Sequence, residues 1–356
     1  MLYYFMHQLD DLKLITEIDK SGMRRRLSDF PRQCEEAESL AKSLEFPFSS
    51  EDVENVVISG MGGSAIGGDI LISYLRENLK IPAIVNRNYS LPAFVNEKTL
   101  AIVISYSGNT GETLASLNEA YEKRSKLIVI TSGGTIEEFC SLNSIPIIKI
   151  KGGLQPRESI GYIFIPLLIL MDKTGFIESQ HREISETIEL LKLLSKGYAP
   201  ESPENDAKRL ALDIHGKIPL LYGIHGLTDS ITLRWKCQFN ENSKTPAFYN
   251  SFPELNHNEI EGWDTNHELG HNFFVVILRS EDEAENISRQ IEITKTILSD
   301  RVGGIREVWG KGNGRLARMF SLIYLGDFVS YYLAILNGID PTPVKNIERL
   351  KKQLRS

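Results

Sequence analysis

The chain has 356 residues, 42% of them hydrophobic and 24% charged, with 40 Lys and Arg against 47 Asp and Glu, a formal net charge of −7. A chain of this length holds about two domains with sizeable cores. The acidic balance, with no dominant basic block, argues against nucleic acid or a membrane surface as partner, and no apolar run reaches the roughly 18 residues of a spanning helix.

Three widely spaced cysteines, Cys34, Cys140 and Cys237, fit a reducing cytoplasm and make neither a disulfide framework nor a paired metal site. The apolar start, Leu2 to Met6, is too short for a secretory segment. Residues 1–50 are charged and helical in pattern, broken at Pro31 and Pro47, with an amphipathic helix at Glu35–Leu44. They read as a helical extension that packs on the first domain.

The first domain, residues 51–180, opens with the strand Asn55–Ile58, a glycine-rich loop and a helix to about Arg76. Strands follow at Ile81–Val85, Thr99–Ile104, Leu127–Ile130 and Ile145–Ile150, and a helix at Ser159–Lys173 closes the domain. Residues 181–204 form a helical connector, Ile184–Leu194, and the linker Tyr198–Glu204. A second domain at 205–338 repeats the grammar. Its strands are Ile218–Tyr222, Asn272–Leu278 and Ile305–Trp309, and its helices run near Asp229–Asn240, Asp282–Leu298 and Arg315–Leu336. Residues 339–356 form a helical tail. Buried strands alternating with helices predict an α/β fold of two domains, each a parallel sheet flanked by helices.

Chemistry concentrates in a few stretches. Ser105-Tyr-Ser-Gly-Asn-Thr110-Gly-Glu-Thr113 joins a buried strand to a helix start. Its hydroxyls and helix-start amides suit an anion, and with no lysine in the loop the expected ligand is a monophosphate. An ordinary loop with Ser/Thr caps satisfies the same pattern. Gly60-x-Gly62-x-x-Ala65 meets the loose dinucleotide fingerprint, but Val85-Asn-Arg87-Asn lacks the acidic residue that follows it; Arg87 there would suit NADP. His267-Glu-Leu-Gly-His271 matches a zinc-protease motif, yet Gly270 and an immediate strand deny it the continuous helix it needs. Glu241, near a helix end, and His257, 16 residues later, are the carboxylate and imidazole that proton transfer beside a carbonyl requires.

With these residues assembled, the chain resembles the bifunctional phosphoglucose/phosphomannose isomerase family of the sugar isomerase (SIS) domain superfamily. The motifs are Ser59-Gly-Met-Gly-Gly-Ser64, Ser105-Tyr-Ser-Gly-Asn-Thr110, Pro156-Arg157, Phe239-Asn-Glu-Asn242, Asn256-His257-Asn258 with Glu261-Gly262, and the tail from Pro341-Thr-Pro to Lys351, in the family's order. The resemblance implies two SIS domains and reversible isomerisation of glucose 6-phosphate, and of mannose 6-phosphate, with fructose 6-phosphate. It implies that Ser105, Ser107 and Thr110 hold the phosphate, and that Gly63 and Ser64 line the sugar. Glu241 would be the base, Arg157 would stabilise the cis-enediolate, and Lys351 would assist ring opening, with neighbouring Lys352 able to take its place. His257 would also assist ring opening, donated across a homodimer. No cofactor and no metal are implied. The family's threonine near the C-terminus falls on Val344, with Thr342 two residues earlier. Two other readings remain: a non-catalytic sugar-phosphate sensor, and an isomerase of another sugar phosphate.

Overall fold

The structure, a computed structural model, describes residues 8–264 and 267–354. The chain divides into two compact units. One is Phe30–Ile188; the other joins the described residues up to Asp29 to those from Glu189 onward.

In the first unit a five-stranded parallel sheet has the order β2-β1-β3-β4-β5. The strands are β1 Asn55–Ser59, β2 Ala83–Asn86, β3 Thr99–Ser105, β4 Lys126–Thr131 and β5 Ile147–Lys149. Central β3 reads TLAIVIS and is buried at every residue, as a strand covered on both faces must be. The N-terminal segments α1 Leu12–Ile18 and α2 Met23–Ser28 belong to the other unit, and α3 Phe30–Lys42 opens this one. The remaining helices of this unit are α4 Gly62–Leu75, α5 Gly111–Glu122, α6 Thr135–Leu142 and α7 Ile160–Lys173, and it takes the start of α8 His181–Gly197. Helix α4 is squeezed between the sheet and α7. A Cβ at Gly68 would lie 2.9 Å from Ile58 Cγ2, and one at Gly67 would lie 2.5 Å from Ile163 Cγ2. Those glycines serve close packing.

The second unit holds a four-stranded parallel sheet of order β7-β6-β8-β9. Its strands are β6 Ile218–Ile224, β7 Phe248–Phe252, β8 Phe273–Arg279 and β9 Ile305–Trp309. Its helices are α9 Asp206–Ile214, α10 Asp229–Gln238, α11 Glu285–Leu298, α12 Arg315–Leu336 and α13 Lys345–Leu354. Taken in chain order within each unit, both sheets share the arrangement second-first-third-fourth, the duplication that the repeated grammar predicts. Helix α12 has the length and apolarity to cross a membrane, yet its apolar window is 100% buried inside the protein, so it is a core helix.

Three boundaries differ from the sequence reading. The N-terminal 50 residues are not one extension on the first domain. The described residues before Phe30 pack on α12, where Tyr324 donates to the Leu27 carbonyl at 2.8 Å and Tyr331 to Asp19 at 3.3 Å. The stretch from Tyr198 to Glu204 is no free linker either. Tyr198 is buried, its ring meets Tyr324 and Phe328, and Asn205 donates to the Ala199 carbonyl at 3.0 Å. Finally, β7 and α9 lie where no element was assigned. Strand β7 is an edge strand with Phe248 and Tyr249 exposed, so its sequence carries little of the usual alternation.

Candidate active site

In the first unit, three of the singled-out stretches meet at the carboxyl ends of the strands, where ligands of open α/β sheets sit. Ser105 closes β3, and its buried Oγ has no hydrogen-bond partner. Thr113 in the first turn of α5 is likewise buried with its hydroxyl unpartnered. Thr110 is the N-cap of α5, but its side chain makes no cap bond, which leaves the first-turn amides for a ligand. Ser107 is exposed, and its Oγ accepts the Asn109 amide at 3.4 Å. Unused hydroxyls around a helix start are what a phosphate needs and an ordinary cap does not leave.

The loop is fixed from two sides. Gly108 has φ +66°, and a Cβ there would lie 1.6 Å from the Gly133 carbonyl oxygen, so only glycine fits. Asn109 Oδ1 accepts from the Thr135 amide at 3.1 Å and from its hydroxyl at 3.0 Å, tying the loop to the start of α6. Ser64, in the first turn of α4, accepts the Tyr106 amide at 3.2 Å. Gly63 lies against the Pro156–Arg157 peptide, with its absent Cβ 2.6 Å from Pro156 C and 2.7 Å from Arg157 N. Arg157, only 4% exposed, occupies a 3₁₀ turn closed by a Gln155–Glu158 capping box.

Tyr106 was not singled out, since an aromatic between two serines reads as core. It holds the parts together. Its hydroxyl donates to the Lys151 carbonyl and accepts the Leu154 amide, both at 2.9 Å, on the approach to Arg157. Burial raises its pKa, which keeps the phenol a donor.

In the second unit, Glu241 occupies a π-helical turn, Phe239–Ser243, that continues α10. It lines a cavity of about 730 Å³ with Asn240, Lys244, Asp340, Val344 and Lys345. Residues of the 339–347 segment form one wall of the cavity. Val344 faces the same space as Glu241, whereas the Thr342 hydroxyl accepts from Arg26 Nη2 at 2.7 Å.

His257 is exposed and does not line that cavity. Topology explains the separation. Helix α10 runs back from the carboxyl end of β6, so Glu241 lies at the amino end of the sheet, while His257 follows the carboxyl end of parallel β7. The five residues of β7 put roughly 16 Å between those ends. Lys351 and Lys352 are exposed on α13 and stand outside the cavity lining.

Two competing motifs are taken up by structure. Arg87 forks onto Asp69 of α4, with Nη1 to Oδ1 at 3.1 Å, so the cation proposed for a 2′-phosphate is engaged within the unit. The helical turn at His267 ends at Gly270, and His271 lies outside it. Residues 267 and 271 therefore do not share one helix.

The chain matches the model of the SIS domain over residues 51–146 and that of the bacterial phospho-glucose isomerase C-terminal SIS domain over residues 203–354. It is 49% identical to a bifunctional phosphoglucose/phosphomannose isomerase of Caldicellulosiruptor bescii, across 92% of this chain and 97% of that one. A protein of the same name from Aquifex aeolicus is 38% identical across 90% and 94% of the two chains. Among solved structures, a hypothetical protein from Thermus thermophilus shares the fold, with a TM-score of 0.73 at 16% identity over 98% of this chain and 94% of that one.

Proposed function

Because the chain belongs to the bifunctional phosphoglucose/phosphomannose isomerase family, we propose that it interconverts glucose 6-phosphate and mannose 6-phosphate with fructose 6-phosphate. The observation that carries this reading is the 49% identity across nearly the full length of both chains. The hydroxyl loop, the glycine loop and the Arg157 turn, packed together at one end of a parallel sheet, supply a site of the matching chemistry.

In this reading Ser105, Ser107 and Thr110 hold the 6-phosphate, and Gly63 and Ser64 line the sugar. The unpartnered Ser105 Oγ and the uncapped start of α5 support that assignment. Glu241 takes the proton from C2 of the aldose and returns it to C1, with a cis-enediolate between the two steps. Arg157 stabilises the enediolate charge, a role suited to a guanidinium held rigidly out of solvent. A planar enediolate has lost the C2 configuration, so the reverse transfer to one face gives the glucose epimer and to the other the mannose epimer. Lys351 assists ring opening.

His257 also assists ring opening, and in this reading it acts on the substrate of a second copy in a homodimer. Its exposure, and the strand length between it and the Glu241 of its own chain, support a donated role. We place the protein in the cytoplasm, where its unbridged cysteines and hexose phosphate substrates belong.

The deciding experiment incubates the protein with fructose 6-phosphate and EDTA and quantifies the two aldose products separately. Both products are expected. Bound but unconverted sugar phosphate would overturn the enzymatic reading.

A further inference from the structure

The π turn that carries Glu241 is held by a buried polar seam against α12. Arg234 Nη2 donates to both carboxylate oxygens of Asp327, at 2.9 and 2.8 Å. One helical turn on, Gln238 Nε2 donates to the same carboxylate at 2.5 Å. A further turn on, Asn242 Nδ2 donates to Ser330 Oγ at 2.9 Å, and that hydroxyl donates to the Asp327 carbonyl at 2.8 Å. Arg234, Gln238 and Asn242 thus form one row at four-residue spacing that spans the change from α to π winding. All five side chains are buried, and beside them the Trp235 indole donates to the Leu322 carbonyl at 2.9 Å.

An apolar seam would hold two helices together at least as well as a buried ionic one. What the polar row adds is register, because a slip would carry these buried donors away from their acceptors. A π turn inserts an extra residue per turn and so re-aims the side chains that follow. Glu241 is the residue re-aimed here, half-exposed into its cavity, while the adjacent Asn242 is locked on the opposite side.

We infer that Ser330 and Asn242 are positioning residues for Glu241: their hydrogen bond clamps the π turn and fixes where the carboxylate points. The inference rests on the functional reading above, and the experiment separates the two. Ser330→Ala, Asn242→Ala, the double variant, Ser330→Thr and Glu241→Gln are assayed for kcat, KM and melting temperature on fructose 6-phosphate. Each alanine variant is expected to lose about tenfold or more in kcat with KM changed by less than about twofold. The double variant falls no further than the worse single, since both remove one link. Ser330→Thr, which keeps the hydroxyl, recovers most of the rate. In heavy water the alanine variants incorporate more solvent deuterium at C2 per turnover, because a misaimed base returns its proton more slowly.

Folded alanine variants with unchanged kcat, losses that multiply in the double variant, or a rise in KM alone would each overturn the clamp. If Ser330→Ala fails to fold, Asn242→Ala breaks the same bond from the other side and its kcat decides. A Glu241→Gln chain as active as the parent would overturn the catalytic reading itself. An inactive Glu241→Gln beside fully active clamp variants would overturn only the positioning.

Discussion

At the scale of single residues, the site divides into groups that act and groups that leave room. Glu241, the proposed base, would be the first kind. Glu241→Gln keeps size and polarity but cannot take a proton, so turnover should fall by roughly a thousandfold while a non-isomerising sugar phosphate still binds. Kinetics alongside calorimetry of that ligand checks both halves, and a loss of only a few fold would mean another carboxylate is the base. Gly63 is the second kind. A methyl there would sit 2.6 Å from Pro156 C, so Gly63→Ala must push the Arg157 turn aside. We expect a loss of about a hundredfold in kcat with phosphate affinity kept, the effect of a displaced guanidinium rather than a lost ligand. Unchanged kcat would show that Arg157 need not be held there. Ser105, Ser107 and Thr110 stood out as candidates in the sequence because hydroxyls, a glycine turn and a helix start follow one another in a single short stretch. Tyr106, between the two serines, was not, since its partners at Lys151 and Leu154 are brought to it by the sheet.

Among elements, those buried on both faces were read most faithfully. Strand β3 and helix α12 carry long apolar runs because neither has a wet side, and each was located within one residue of its ends. Edge strand β7 was missed because an element with little buried face leaves little pattern, and α9, though five of its nine residues are buried, was missed because it spans under three turns. The pairing of α10 with α12 was invisible for another reason: Arg234 and Asp327 are 93 residues apart, and a charge in a helix ordinarily signals solvent. Their burial has a measurable consequence. Asp327→Ala strands a buried guanidinium and should cost about 3–5 kcal/mol in chemical denaturation, whereas replacing both residues by apolar ones of similar volume should recover most of that. A single variant with parental stability would mean the pair is wetter than its side-chain exposures of 2% and 6% indicate.

For the whole molecule, the donated role proposed for His257 makes a mixing experiment decisive. Glu241→Gln and His257→Ala chains, each nearly inactive alone, should regain about a quarter of parental activity when unfolded together and refolded, since half the dimers are mixed and each has one intact site. No recovery would place His257 in its own chain's chemistry, or in none. By itself the sequence determined two parallel α/β domains, and it singled out the hydroxyl loop, Glu241 and His257 as candidates, because local pattern and side-chain chemistry are carried by near neighbours. It did not determine where residues 8–29 pack, since a charged, helical pattern does not specify which element covers it. Nor did it determine which way Glu241 points. That direction belongs to a π turn and to the buried Asp327 and Ser330 of a distant helix, and only folding brings them together.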